Sequence, residues 1–173
     1  MAYEKIKIII LDCDGVLSDG QIVYDGKQVE SKSFSARDGL GISLLRFSDI
    51  RVAVVTGRRS EILQQRCADL KIEILHQKVR DKQQKVEEIL AAENLQWENV
   101  AYMGDDWNDY PALKMAKLSA CPNNVEPDFK SKCQFVAEAD GGKGAVRQLI
   151  TYVLKSQGIY DKVIANFLAN LRS

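Results

Sequence analysis

Lys7-Ile8-Ile9-Ile10-Leu11-Asp12-Cys13-Asp14-Gly15 is the stretch whose reading decides the fold. Its apolar run is short and almost unbroken, as expected of a strand buried on both faces of a parallel sheet. The run stops at two carboxylates one residue apart, at the carboxyl end of that strand, where an open α/β sheet has its ligand crevice. Gly15 lets the chain turn away sharply. Two anions this close repel unless a cation sits between them or one takes a proton, so the pair reads as a metal and acid/base site. Taken alone, D-x-D-G is equally compatible with a strand-end turn in which Asp caps a loop. Cys13 lies between the two, but on a strand its side chain points the opposite way, which argues against a nucleophilic thiol.

Outward from this stretch the chain alternates strand and helix patterns. Gln21–Tyr24 and Val29–Phe34 flank Asp25-Gly26 and predict a β-hairpin overhanging the crevice, a flap over residues 21–34. Arg37-Asp38-Gly39 precedes a helical pattern carrying Leu40, Ile42, Leu44, Leu45 and Phe47. Val52–Val55 predicts a second strand ending at Thr56-Gly57-Arg58, and Ser60 is placed to cap the next helix. A third strand is expected at Ile72–Leu75, a helix opening at Lys82, and a fourth strand at Val100–Met103 that runs into Gly104-Asp105-Asp106-Trp107-Asn108-Asp109. A helix up to Met115, strands at Leu118–Ala120 and near Phe135-Val136, and a helix from Ala145 to about Lys155 complete the pattern. The tail, residues 158–173, has Val163, Ile164, Phe167, Leu168 and Leu171 at helical spacing, an apolar stripe that a finished domain has little room to bury. The alternation predicts a three-layer, doubly wound, Rossmann-like and mostly parallel sheet. Its strand ends bring Asp12, Asp14, Thr56, Lys82, Asp105 and Asp109 around one crevice.

At 173 residues one domain over 1–173 is expected. Lys plus Arg and Asp plus Glu both count 24, so the charge balance points neither to nucleic acid nor to an anionic membrane surface. No apolar run approaches a membrane span, and Met1–Lys5 leads into the first strand without a signal-peptide core; a cytoplasmic protein is expected. Cys13, Cys67, Cys121 and Cys133 lack C-x-x-C spacing and read as buried thiols.

D-x-D-G after the first strand, Thr-Gly after the second, a Lys opening a helix and G-D-D-x-x-D after the fourth resemble the four ordered motifs of the haloacid dehalogenase superfamily of phosphatases. The resemblance implies a Mg²⁺-dependent phosphomonoesterase. Asp12 would attack phosphorus, and Asp14 would serve as general acid and then general base. The metal would be held by the Asp12 carboxylate, the Asp14 backbone carbonyl and Asp105, with Asp106 and Asp109 holding metal waters and Lys82 in place. Thr56 and Lys82 would bind the phosphoryl group. A cation opening a helix is electrostatically misplaced without an anionic partner, which favours a functional Lys82.

Only 41 residues separate Asp14 from Thr56 and 25 separate Thr56 from Lys82, too few for a cap domain in either place. D-G-V-L-S-D-G at 14–20, S-F-S-A-R-D-G-L-G-I at 33–42, T-G-R at 56–58, R-C at 66–67, G-D-D-W-N-D at 104–109 and G-G-K-G-A-V-R at 141–147 resemble the capless, tetrameric members acting on an eight-carbon keto-deoxy sugar acid phosphate. That resemblance implies a homo-oligomer, and substrate contacts from Ser35, Ala36, Arg37, Asp38, Gly39, Arg58 and Arg66. A carboxylate suits an arginine fork. A sister activity on nine-carbon sugar acid phosphates tends to carry an acidic residue where Arg58 stands. A response-regulator receiver gathers similar groups, but its nucleophile follows a middle strand. A non-catalytic oligomerisation module would not need Asp12, Asp14, Lys82 and Asp105 intact. Trp107 and His76 are open between packing and crevice roles, and Gly141–Gly144 between an anion-binding loop and a plain helix entry.

Overall fold

The computed structural model describes residues 3–24 and 30–171. Six parallel strands form one sheet: β1 (Ile8–Leu11), β4 (Arg51–Val55), β5 (Ile74–His76), β6 (Val100–Met103), β7 (Leu118–Cys121) and β8 (Phe135–Val136), in the order β5-β4-β1-β6-β7-β8. The first strand is central. Ile8 to Leu11 pair with Arg51 to Val54 on one side and with Val100 to Met103 on the other. The period-two alternation of side chains divides the core into two layers. Ile9, Leu11, Ala101 and Met103 face one layer, whereas Ile8, Ile10, Val100 and Tyr102 face the other. Helices α1 (Ala36–Leu44), α2 (Glu61–Asp69), α6 (Ala145–Ser156) and α7 (Tyr160–Asn170) close the first, and α3 (Lys82–Glu93), α4 (Tyr110–Leu113) and α5 (Pro127–Lys130) the second. This is the expected doubly wound fold, with no cap domain among the described residues.

The differences from expectation have local causes. Helix α1 begins at Ala36 and so includes Arg37-Asp38-Gly39, because the Ser35 side chain accepts from the Arg37 and Asp38 amides and caps it. Strand β5 starts two residues late. Lys71 adopts a left-handed φ of 57° and the Ile72 amide returns to the Cys67 carbonyl, so both residues are spent closing α2. The hairpin pairs only Val23-Tyr24 (β2) with Glu30-Ser31 (β3), and the expected Asp25-Gly26 turn lies outside the described residues.

The tail corrects the expectation that its stripe lacks a place on its own domain. Val163 is buried, Ile164 and Phe167 pack on the first layer, and Phe167 meets Phe47 edge-on at 6.0 Å. Leu168 and Leu171 stay exposed. Phe47 precedes β4, and the Gln157 side chain donates to the Tyr3 and Ile6 carbonyls ahead of β1. The tail is therefore seated at the amino ends of the strands, opposite the crevice.

Candidate active site

The site lies at the carboxyl ends of β1, β4 and β6. Asp12 and Asp14 follow β1, Thr56 follows β4, Lys82 is the first residue of α3, and Asp105 to Asp109 follow β6. Gly15 turns the chain with φ +85°, and the Asp105 carboxylate occupies the space that a side chain at position 15 would need. Gly141 and Gly142 press on the same turn from behind, Gly142 with φ +67° and its amide donating to the Val16 carbonyl at 2.9 Å.

Asp109 organises the interior of the site. It is fully buried, and its Oδ1 accepts from Lys82 Nζ at 2.6 Å and from the Tyr102 hydroxyl at 2.7 Å. Its Oδ2 accepts from the Asp105 amide at 3.1 Å. Lys82 is buried as well and reaches Asp12 Oδ1 at 3.0 Å. A buried ammonium is tolerated because two carboxylates pair with it, which answers the misplacement at a helix start. Burial lowers the Lys82 pKa and Asp109 and Asp12 outweigh that, so the ammonium is held above its ordinary range. Tyr102 was not legible beforehand, since mid-strand aromatics are ordinarily core. Burial, then Asp109, push its hydroxyl well up, which keeps it a donor.

Carboxylate oxygens of Asp12, Asp105 and Asp109 lie within 4.8 Å of one another. Both Asp109 oxygens already serve protein donors, so it is an anchor for Lys82 and the acidic loop, not the free ligand that proximity suggests. Asp12 and Asp105 have the character of metal ligands. Asp12 Oδ1 is buried and faces the Lys82 ammonium as an ion pair without a hydrogen bond to it. Burial, followed by Asp109, raises Asp12 to about 6; burial, Asp109 and Asp12 raise Asp105 to about 8. Hard oxygen donors short of positive charge fit Mg²⁺. The proton-linked stability is fully present below the ordinary carboxylate range and lost as pH rises through about 6 and about 8. The thermal midpoint of metal-free protein should therefore fall between about pH 5 and about pH 8, and Mg²⁺ should raise it more at the higher pH. A metal-free profile flat in pH, with equal Mg²⁺ gains, would show that these two carboxyls do not hold the ion.

Asp14 faces a cluster only partly anticipated. Its Oδ1 pairs with Lys32 Nζ, and its Oδ2 lies 3.6 Å from Arg58 Nε. Glu30 Oε1 bridges the two cations, 3.3 Å from Lys32 Nζ and 3.0 Å from Arg58 Nη2. Lys32 and Glu30 escaped the sequence reading because the hairpin's alternation does not say which face meets the crevice. Thr56 is buried at the end of β4, its amide donating to the His76 carbonyl at 2.9 Å.

Other expected site residues are placed differently. Asp38 is buried and caps α6: its Oδ2 accepts from the Gly144 amide at 3.1 Å and its Oδ1 from the Arg147 amide at 2.8 Å. Both of its oxygens, read from the sequence as substrate contacts, are thus engaged within the fold. Gly39 is buried under Arg66, whose guanidinium fills the space that a side chain there would need. Arg66 donates to the Ser35 carbonyl at 3.1 Å and lies over the Phe34 ring, which ties it to the start of α1. Ser35 is spent as the cap, while Ala36 and Arg37 are exposed. Asp106 is exposed and accepts from the Trp107 amide at 2.7 Å. Trp107 is half exposed and packs edge-on against Tyr110 and Phe129. His76 is half-buried in β5, and burial, then Lys85, hold its pKa down. The amides of Gly141, Gly142, Lys143 and Gly144 are taken by Asn124, Val16, Asp140 and Asp38, leaving none of these four for a foreign anion.

Residues 65–149 match the haloacid dehalogenase-like hydrolase family. The chain is 39% identical over 159 residues to the 3-deoxy-D-manno-octulosonate 8-phosphate phosphatase KdsC of Escherichia coli K12, covering 92% of this chain and 85% of that protein. It is 41% identical over 153 residues to the Yersinia pestis protein of the same name, covering 88% and 82%. It superposes with a TM-score of 0.92 and 33% identity on the crystal structure of the Moraxella catarrhalis 3-deoxy-D-manno-octulosonate 8-phosphate phosphatase in complex with magnesium ion, phosphate ion and KDO, over 96% of this chain and 95% of that one. Four motifs in order, three at strand ends and one opening a helix, a capless sheet and these whole-chain identities have one explanation: the chain belongs to the 3-deoxy-D-manno-octulosonate 8-phosphate phosphatase family of haloacid dehalogenase-like hydrolases.

Proposed function

We propose that this phosphoric monoester hydrolase cleaves 3-deoxy-D-manno-octulosonate 8-phosphate to the free sugar acid and phosphate. The observation that carries the reading is Asp12, held by buried Lys82 beside Asp105, in a chain about two-fifths identical to phosphatases named for that substrate. An Asp12 oxygen attacks phosphorus in line as the bond to the sugar oxygen breaks, leaving an aspartyl-phosphate. Asp14 donates its proton to the departing alkoxide. It then takes a proton from the water that attacks phosphorus, and the Asp12–phosphorus link breaks to release phosphate. Lys82 offsets negative charge on Asp12 and the phosphoryl oxygens, and Thr56 donates to the phosphoryl group. Asp12, Asp105 and the Asp14 backbone carbonyl would hold the Mg²⁺, which when bound neutralises phosphoryl and carboxylate charge.

Asp14→Asn should retain the fold and lose roughly 10²- to 10⁴-fold in turnover of the sugar phosphate. Wild-type turnover in that variant, or full activity in excess EDTA, would overturn the mechanism. Arg58, with 41% of its side chain exposed, supports recognition of the sugar carboxylate. Arg58→Ala should raise KM for the eight-carbon substrate at least about tenfold more than for p-nitrophenyl phosphate, which carries no carboxylate. Equal KM changes would remove Arg58 from substrate reading. A higher kcat/KM for the nine-carbon 9-phosphate would transfer the assignment to the sister activity.

Ile22, Val23 and Leu40 are exposed on the flap and α1, and they support a homo-oligomer, by resemblance a tetramer. A fully active monomer in sedimentation would refute it. A cytoplasmic location accords with the four free cysteines, and no helix among the described residues is long and apolar enough to cross a membrane.

A further inference from the structure

We propose that Lys32 is a positioning residue for proton transfer by Asp14, set in place by Glu30. The inference rests on the reading of Asp14 as the group that protonates the leaving alkoxide. Only 1% of the Lys32 side chain is exposed, although it is carried by a hairpin of two-residue strands. So short a hairpin has little stability of its own, and a buried ammonium persists only with anionic partners. Both partners are present, Asp14 and Glu30. The Asp14 carboxylate is consequently held at Oδ1 by a hydrogen bond from Lys32, while Arg58 Nε lies 3.6 Å from Oδ2, too far for a hydrogen bond. Glu30 holds the two cations at one spacing, since its Oε1 lies 3.3 Å from Lys32 Nζ and 3.0 Å from Arg58 Nη2. Three chain segments thus converge on the acid: the turn after β1, strand β3 with its following residue, and the turn after β4. Without Lys32, Oδ1 loses its fixed donor and the acid can swivel away from the departing oxygen. Misplacement of that kind lowers a transfer rate without altering the nucleophile.

The leaving group separates this role from a structural one. An alkoxide needs a proton as it departs, whereas p-nitrophenolate does not. The experiment is a single-turnover measurement of phosphorylation with full-length protein, Mg²⁺, and either the sugar phosphate or p-nitrophenyl phosphate. Lys32→Met should slow the sugar phosphate at least about tenfold and leave the nitrophenolate burst within about twofold. Lys32→Arg should recover most of the loss. Glu30→Gln, which keeps Lys32 but loosens it, should give the same split in smaller measure, and it decides the matter if Lys32→Met fails to fold. Equal losses on both substrates, or none, overturn the inference. Asp14→Asn is the control: if it shows the split and the Lys32 and Glu30 variants do not, positioning fails and the acid stands. If Asp14→Asn lacks the split, the reading of Asp14 itself falls.

Discussion

Asp12→Asn should abolish turnover, by roughly 10⁴- to 10⁶-fold, the scale expected when a nucleophile that works as part of a unit is removed. Asparagine has nearly the same shape, but its amide cannot form the acyl phosphate or offset the charge of Lys82. The stability effect should run the other way. Burial and Asp109 raise the Asp12 pKa to about 6, so at neutral pH its negative charge is a cost that the metal-free fold carries. Removing that charge should stabilise the metal-free protein by on the order of 1 to 3 kcal/mol near neutral pH and by nothing near pH 4, where the wild-type carboxyl is protonated. Phosphate-release assays and thermal melts with EDTA test the two halves separately. Retained turnover would show that Asp12 is not the nucleophile; a destabilised variant would show that its partners hold it more than they strain it.

Asp109→Ala should be the most damaging single change to the fold at this site. Asp109 is fully buried, and Lys82 Nζ, the Tyr102 hydroxyl and the Asp105 amide all donate to it. Truncation would leave a buried ammonium with Asp12 alone, and a buried phenol and amide with no acceptor. Breaking such a pair by removing one partner costs about 3 to 5 kcal/mol, against which a surface salt bridge is worth at most about one. For a chain of this length that corresponds to a drop in thermal midpoint of roughly 6 to 20 °C. Activity should fall as well, because Asp109 orients Lys82 and accepts from the amide of Asp105, the proposed metal ligand. Asp109→Leu combined with Lys82→Met removes both charges together. It should recover much of the stability and none of the activity, since the apolar pair needs no solvation but cannot hold the phosphoryl group. Denaturant unfolding of the two variants checks this, and a loss below about 1 kcal/mol for Asp109→Ala would mean that water replaces the carboxylate.

The local pattern of Ile8 to Gly15 was enough to specify a central parallel strand ending in a crevice, because a strand buried on both faces has little freedom over what it contains. The positions of Asp12, Asp14, Thr56 and Asp105 were readable for the same reason, since each sits where a regular apolar strand stops, and Lys82 was readable as a cation opening a helix. Position along the chain does not tell which oxygen faces which donor. That Asp109 anchors Lys82 and Tyr102, and that Asp38 caps α6, depends on contacts between segments far apart in sequence. The same holds for the tail, whose stripe read as more than its own domain could bury, whereas Phe167 meets Phe47 of that domain. It holds most of all for Lys32 and Glu30. Alternation along a hairpin does not say which face meets the crevice, and only the folding of the flap puts those charges on Asp14. The sequence by itself thus determined the topology and the chemistry of the strand ends, where short-range patterning suffices. The tertiary structure alone decided which charges pair and which faces are covered, because burial of a charge is settled by what the rest of the chain brings to it.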